Sequence, residues 1–172
     1  MKVLIVSDSH GLTAELEQLK KRHRAEVELF IHCGDSELDA DHPSMMNYLT
    51  VRGNCDEDQR FPMETVKEAG TRRILVAHGH RYSVKTDLMK LSYKAQEVSA
   101  DIVCFGHSHY LGAEMVYDTL FINPGSIRLP RGSRARTYVI LEIVEHAYVI
   151  KVYDYDKGEL SDLEQTFSFH SK

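Results

Sequence analysis

The chain has 172 residues, of which 42% are hydrophobic and 27% charged, and its formal net charge is −5 at pH 7. This size and composition predict one globular domain, residues 1–172, with an apolar core of its own. The acidic balance and the absence of a basic block argue against a nucleic-acid polymer or an anionic membrane surface as partner, and no apolar run is long enough to span a bilayer.

Strand-like and helix-like segments alternate through the first two thirds of the chain. Short apolar runs rich in β-branched residues predict buried strands. Charged stretches with apolar residues on one face predict helices. In chain order, the predicted elements are strand 3–6, helix 12–24, strand 29–32, short helix 43–48, strand 49–51, strand 74–77, helix 87–98 and strand 102–105.

The last third of the chain is rich in strands. The predicted strands 113–117, 120–123, 137–144 and 147–155 follow one another, and we expect them to pair antiparallel. The tail 156–172 is polar, which predicts partial mobility, with an edge strand at Phe167 and Phe169 as the alternative. Early β-α alternation followed by a β-rich half predicts an α/β fold with a two-sheet core flanked by helices.

The cysteines and the N-terminus bear on the compartment. Cys33, Cys55 and Cys104 are odd in number and have no framework spacing, so we expect free thiols and a reducing compartment. The first eight residues show no cleavable signal pattern. The sequence therefore predicts a cytoplasmic protein.

Asp, Asn and His side chains, next to Gly or Ser, follow the ends of five predicted strands. Ligands of α/β sheets collect at the carboxyl ends of strands. Clustered Asp and His side chains cost stability through desolvation and repulsion unless cations compensate them, so the pattern predicts a metal site. The segments are Asp8-Ser9-His10, Gly34-Asp35, Gly53-Asn54-Cys55-Asp56, His78-Gly79-His80 and Gly106-His107-Ser108-His109.

The donor types indicate which cations fit. Carboxylate and carbonyl oxygens suit Mn or Mg, whereas imidazoles suit Zn, Fe, Ni or Mn. The mixture makes Mn the first choice and leaves Ni, Fe, Zn and Mg open. Seven side chains with one bridging carboxylate are enough to hold two ions about 3.5–4 Å apart, as in two-metal hydrolases.

The motifs D-x-H, G-D, G-N-x-D, H-G-H and G-H-x-H, in this order, resemble those of the calcineurin-like metallophosphoesterase superfamily. The compact length, Cys55 and the segment 123–126 resemble its small bacterial and archaeal phosphodiesterase branch. The resemblance covers residues 1–155 and implies a four-layer α/β/β/α sandwich that hydrolyses small phosphodiesters with a metal-bridging hydroxide. It assigns Asp8, His10, His109 and bridging Asp35 to one metal. It assigns Asp35, Asn54, His78 and His107 to the other.

Three further residues are candidates for direct roles. Members of the superfamily often carry His where this chain has Cys55, and that His protonates the leaving group. A thiol, with an ordinary pKa of about 8.5, is a poor replacement, so we expect substrates whose leaving group departs without much help. Asp56 is then left to orient water, an arginine or Cys55. His80, the alternative to His78 as a ligand, is expected behind the ligands or in the substrate pocket.

Other interpretations stay open. The chain is expected to act on a small phosphate ester, and the closer alternative to a phosphodiesterase is a phosphomonoesterase. A second alternative is a non-catalytic protein-binding scaffold, as in the retromer subunit of this fold. The metal-binding residue types are all kept at Asp8, Asp35 and Asn54, which favours an enzyme. Arg52, Arg128 and Arg131 are candidates for phosphate contacts or plain solvated side chains. A homo-oligomer is compatible with the sequence.

Overall fold

The computed structural model describes residues 1–169. Within this range the helices are α1 (Ala14–His23) and α2 (Met89–Glu97), with short 3-10 turns at Pro43–Met45, His80–Tyr82 and Ser161–Leu163. The strands are β1 (Lys2–Val6), β2 (Leu29–His32), β3 (Tyr48–Thr50), β4 (Glu64–Ala69), β5 (Arg72–Ala77), β6 (Ile102–Cys104), β7 (Leu111–Val116), β8 (Thr119–Pro124), β9 (Thr137–Ile143), β10 (Ala147–Asp154), β11 (Gly158–Glu159) and β12 (Gln165–Ser168).

The strands form two mixed sheets. The first has the order β11-β10-β9-β1-β2-β3, with β12 also pairing with β10. The second has the order β4-β5-β6-β8-β7. Strands β1, β2 and β3 run parallel in the first sheet, and β5, β6 and β8 run parallel in the second.

Three apolar clusters hold four layers together. One cluster lies between the sheets and includes Val3 and Ile5 of β1. The opposite face of β1, with Leu4, packs against α1. On the far side of the second sheet, Leu75 packs in a cluster with Leu91 of α2. Because both faces of the central strands are buried, their sequences are continuous apolar runs. The predicted four-layer α/β/β/α sandwich is confirmed.

The structure corrects the predicted pairing of the late strands. Strands β7 and β8 pair antiparallel, as do β9 and β10, but β8 and β9 belong to different sheets. Strand β8 lies parallel to β6, and β9 lies antiparallel to β1. The segment 125–136 therefore crosses from one sheet to the other instead of forming a hairpin.

Two further elements differ from the prediction. Strand β4, which pairs antiparallel with β5, was not predicted because Ala69 is its only buried residue and charged Lys67 and Glu68 follow Val66 in its exposed middle. In the tail, β12 pairs with β10 and sets Phe167 opposite Tyr148, which favours the edge-strand alternative. The end of the predicted tail, residues 170–172, lies outside the described residues. Among residues 1–169 neither helix has the length and apolar character needed to cross a membrane.

Candidate metal centre

The loops that follow β1, β2, β3, β5 and β6 meet at one edge of the sandwich. Backbone hydrogen bonds join them, from Asp8 N to Gly34 O at 3.0 Å and from Gly106 N to His78 O at 3.0 Å. The second of these bonds links the ends of β5 and β6. A third bond runs from His107 N to Asp8 Oδ2 at 3.1 Å and connects the two sheets. Residues far apart in sequence are thereby brought into one cluster.

The first set of donors consists of Asp8, His10 and His109, whose ligand atoms lie within 4.8 Å of one another. The two imidazole Nε2 atoms are 3.4 Å apart, and His109 Nε2 lies 3.1 Å from Asp8 Oδ1. Asp8 Oδ1 is buried and has no hydrogen-bond partner among the described residues. A buried carboxylate oxygen without a donor, facing two imidazole nitrogens, fits a cation.

Hydrogen bonds on the outer ring nitrogens orient the imidazoles. His109 Nδ1 donates to Leu129 O at 2.8 Å, and His78 Nδ1 donates to Cys33 O at 2.8 Å. A carbonyl oxygen accepts only, so each Nδ1 carries a proton and each neutral ring turns an Nε2 lone pair inward. Nδ1 of His10 lies 2.9 Å from Glu37 Oε2 and is held in the same way. Metal-ligating histidines in proteins have this arrangement.

The second set of donors consists of Asp35, His78 and His107. His78 Nε2 lies 3.2 Å from Asp35 Oδ2 and 3.2 Å from Asn54 Oδ1. Asp35 also belongs to a set with His10 and Cys55, again within 4.8 Å. Asp35 is therefore within reach of donors on both sides of the cluster, and all seven predicted ligands lie at this one edge.

The Asp and His side chains of the cluster shift one another's pKa values. Burial favours the neutral carboxyl of Asp8, but His109 and His78 outweigh it and lower its pKa. Burial likewise opposes ionisation of Asp35, whose pKa His78 lowers. The pKa of His109 is raised chiefly by Asp8, and burial together with the charge on His78 lowers that of His107 to about 4. Divalent cations would satisfy these donors without protons on the imidazole Nε2 atoms.

The backbone of the cluster is strained. Residues with positive φ are rare unless they are glycine, and each costs about 1–3 kcal/mol. Such backbone strain gathers at functional sites. Five of the seven predicted ligands have positive φ: Asp8 (53°), His10 (42°), Asp35 (54°), His107 (67°) and His109 (63°).

Asp56 lies in a different environment from the one predicted. Its carboxylate accepts backbone N–H groups of Asp35 at 2.8 Å, Glu37 at 2.8 Å and Gly53 at 2.7 Å. It also accepts the Ser36 hydroxyl at 3.2 Å. These bonds occupy the carboxylate, so orientation of water or of Cys55 is an unsuitable role. Its contacts hold the loops after β2 and β3 together.

Cys55 and His80 lie beside the donors. The Cys55 thiol is exposed and accepts from Asn54 Nδ2 at 3.3 Å. Partial burial and the nearby charge of Asp35 raise its pKa to about 11. The His80 ring is 5.4 Å from that of His78, its Nδ1 is buried without a partner among the described residues, and burial lowers its pKa. Neither position conflicts with the predicted roles.

Several supporting residues were not predicted. Ser126 Oγ donates to Asp8 O at 2.8 Å, and Asn123 Nδ2 donates to Gly106 O at 3.1 Å and Ser108 Oγ at 2.9 Å. Ser9 Oγ lies 2.8 Å from Nε2 of buried His32. The turn composition of 123–126 was the only sequence signal, and it did not say which loops the turn would support.

We expect Gly53→Ala to weaken metal binding. A Cβ at this glycine would overlap Asp35 Oδ1 and lie 2.7 Å from Asp35 Cγ, so the carboxylate would have to move. Disturbing the support of a ligand costs about 10–100-fold in metal affinity, which calorimetric titration with Mn²⁺ measures. Gly112→Ala is the control, because its Cβ would meet nothing within 4 Å. Equal Mn²⁺ affinity in the two variants would contradict this placement of Asp35.

Known proteins that are similar to this chain include phosphoesterases, by family or by description. Residues 1–146 match the calcineurin-like phosphoesterase superfamily domain. The probable metallophosphoesterase YsnB of Bacillus subtilis is 50% identical over 164 residues, which cover 95% of this chain and 97% of YsnB. A predicted phosphoesterase from Streptococcus pneumoniae TIGR4 has 34% identity and a TM-score of 0.93, covering 97% of both chains.

More distant structures share the fold. Vps29 of Entamoeba histolytica, in a structure described as complexed with zinc, has 21% identity and a TM-score of 0.73, covering 99% of this chain and 100% of Vps29. This likeness concerns the fold alone. The match over residues 1–146 and the identity to YsnB decide the family. The chain belongs to the calcineurin-like phosphoesterase superfamily, whose members are metal-dependent phosphoester hydrolases.

Proposed function

We propose that this protein is a phosphodiesterase that uses two divalent cations, with Mn²⁺ as the first candidate. The observation that carries the proposal is the position of Asp35, within 4.8 Å of His10 on one side and of His78 and His107 on the other. A carboxylate between two groups of donors suits a bridging ligand. Asp8, His10 and His109 would complete one cation site, and Asn54, His78 and His107 the other.

Within residues 1–169 the side chains of the cluster bind and orient, and we assign none of them the attack on phosphorus. Cys33 and Cys104 are fully buried, and burial raises the pKa of both thiols. When bound, two such cations lower the pKa of a water molecule and neutralise charge on the phosphoryl oxygens. The imidazoles of His10, His78 and His109 supply fixed lone pairs, and Asp56 with Ser126 keeps their loops in register.

The environment of Cys55 supports substrates whose leaving group departs without a proton. A general acid is most useful when its pKa lies near the working pH, and this thiol has a pKa of about 11. Burial lowers the pKa of His80, which disfavours the protonated ring that a general acid needs. Leaving groups that depart as stable anions need no proton. Small diesters with aryl or phosphate leaving groups are substrates of this kind, and we propose them for this site.

A series of phosphate esters with graded leaving groups tests this proposal. In wild type we expect an aryl diester to be hydrolysed faster than the matching monoester, with a steep dependence on leaving-group pKa. Cys55→His should flatten that dependence and accelerate alkyl esters by about 10²-fold, the lower end of general-acid effects. Cys55→Ala should change aryl diester hydrolysis only modestly. Steady-state kcat/KM for each ester is the measurement.

The bound metal of each variant, measured by mass spectrometry, is the control for this series. An unchanged slope in Cys55→His, with metal content and fold intact, would place Cys55 outside the acid position. Faster hydrolysis of 4-nitrophenyl phosphate than of bis(4-nitrophenyl) phosphate would favour the phosphomonoesterase alternative.

A further inference from the structure

Two arginines beside the cluster have no acidic partner. Four described arginines form ion pairs with a carboxylate: Arg60 with Asp58, Arg72 with Asp101, Arg73 with Glu68 and Arg136 with Glu15. The other described arginines do not. Arg128 and Arg131 are exposed and form no ion pair within residues 1–169. Both lie in the segment 125–136 that crosses between the sheets. In a chain of net charge −5, two free cations at one edge are local positive charge without a protein counterion.

The crossing segment is attached directly to the first set of donors. Leu129 O accepts from His109 Nδ1 at 2.8 Å, and Arg131 N donates to His109 O at 3.1 Å. The Arg128 guanidinium donates through Nη1 to His10 O. The two arginines are thereby held next to two of the proposed ligands of one cation.

The segment also has a defined position. Gly132 has a φ of +75°, and a Cβ there would lie 3.0 Å from the Tyr110 ring, so the ring packs directly on the backbone after Arg131. Tyr110 and Arg131 form a β-bridge as well. These contacts fix the origin of the Arg131 side chain beside the cluster.

A cavity opens at the same place. It has a volume of about 480 Å³ and is lined by His10, Gly11, Glu37, Arg128 and Leu129. Glu37 is the acidic side chain of this lining, and its Oε2 lies 2.9 Å from His10 Nδ1. The His10 imidazole holds the Glu37 carboxylate by this contact, and the Arg128 guanidinium is the cationic side chain of the lining. There is room beside the proposed cation site for a further anionic group.

We propose that Arg128 and Arg131 bind a second phosphate group of the substrate, next to the one that is hydrolysed. This inference rests on the proposed function and narrows it to phosphodiesters that carry an additional phosphate, such as phosphorylated nucleotides. A guanidinium presents a planar fork of donors that matches phosphate oxygens. Arg128 lines the cavity beside His10 that receives the group, and Arg131 lies outside that lining, three residues further along the same segment. The scissile phosphate lies over the donors.

Two matched esters test the inference: the 4-nitrophenyl ester of thymidine 5′-phosphate, and the same ester with a 3′-phosphate. They share the leaving group and the reacting phosphorus. Wild type should favour the 3′-phosphorylated ester in kcat/KM. Exposed charge pairs contribute up to about 1 kcal/mol each, so Arg128→Gln and Arg131→Gln together should lower the ratio of the two values about tenfold. Arg24→Gln, an exposed arginine on the far end of α1 without an ion pair among the described residues, should leave the ratio unchanged.

Ionic strength gives a second readout. The preference should shrink between about 0.1 M and about 1 M salt, as the Debye length falls from about 10 Å to about 3 Å. Equal kcat/KM for the two esters in wild type, or a ratio that the double variant leaves unchanged, would overturn the inference.

Calorimetric binding separates this inference from the proposed function. Thymidine 3′,5′-bisphosphate should bind the Mn²⁺-loaded protein more tightly than thymidine 5′-phosphate, and the double variant should lose the difference. A protein that hydrolyses neither ester but keeps the bisphosphate preference would refute the phosphodiesterase and retain the phosphate site. Hydrolysis of both esters with equal binding of the two nucleotides would refute the phosphate site and retain the phosphodiesterase.

Discussion

Removal of divalent cations should reduce hydrolysis of bis(4-nitrophenyl) phosphate by more than about 10³-fold, since the cations supply several kcal/mol of transition-state stabilisation. The described residues offer convergent metal donors, in which Asp8 Oδ1 is buried without a hydrogen-bond partner, and no side chain placed to attack phosphorus. Rates after dialysis against a chelator, and after return of Mn²⁺, Ni²⁺, Fe²⁺, Zn²⁺ or Mg²⁺ in turn, are the measurement. We expect Mn²⁺ to restore the rate.

Metal analysis gives this experiment its controls. The metal-free protein should keep its circular dichroism spectrum, so that loss of rate reflects loss of the cations. Saturation should occur at two cations per chain. Full activity in a verified metal-free sample would end the two-metal proposal, and full occupancy without hydrolysis of any ester would favour a protein-binding scaffold.

Asp35→Ala should lower activity about 10³-fold, and Asn54→Ala considerably less, because a bridging carboxylate stabilises both cations. Asp35 lies within reach of His10, His78 and His107, whereas Asn54 Oδ1 lies 3.2 Å from Nε2 of one of these, His78. Two cations left without a carboxylate between them also repel each other. The measurements are kcat/KM on bis(4-nitrophenyl) phosphate and the number of cations bound per chain.

Asp39→Ala is the matched control for the Asp35 variant. Asp39 lies four residues later in the same loop, is exposed, and its side chain has no hydrogen bond or ion pair among the described residues. Its replacement should leave rate and metal content unchanged. An Asp35→Ala protein with two cations and near-normal turnover would show that Asp35 is not the bridge.

The cluster could be anticipated because buried strands are easily recognised in sequence. The runs at Val3–Val6 and Leu29–His32 are apolar on both faces, so their ends are visible and the Asp and His residues that follow stand out. Parallel strands bring such ends to one edge. Local pattern and sheet geometry were enough for this part of the fold and for bringing the five segments to one edge. The choice of the seven ligands within them came from the family resemblance and stays a prediction.

Other features depend on contacts that no local pattern encodes. The strand Glu64–Ala69 lies at a sheet edge, where a polar exterior removes the hydrophobic alternation. The sequence of 120–143 does not indicate that β8 and β9 join different sheets. Both strands are apolar, and they would be buried either as a hairpin in one sheet or as members of two sheets. The surroundings of Asp56 are another such feature, since a sequence does not reveal that three backbone N–H groups bond its carboxylate.

The left-handed backbone at Asp8, His10, Asp35, His107 and His109 ties folding to the supply of metal. At each of these positions a residue that a cation needs has a backbone conformation that only glycine adopts freely. Each such residue costs about 1–3 kcal/mol of folding free energy. A cation that binds only the folded chain offsets this cost by an amount that grows with the logarithm of its free concentration. The melting temperature should then rise with the concentration of free metal ion. A shortage of that ion should lower the stability of the protein as well as its activity.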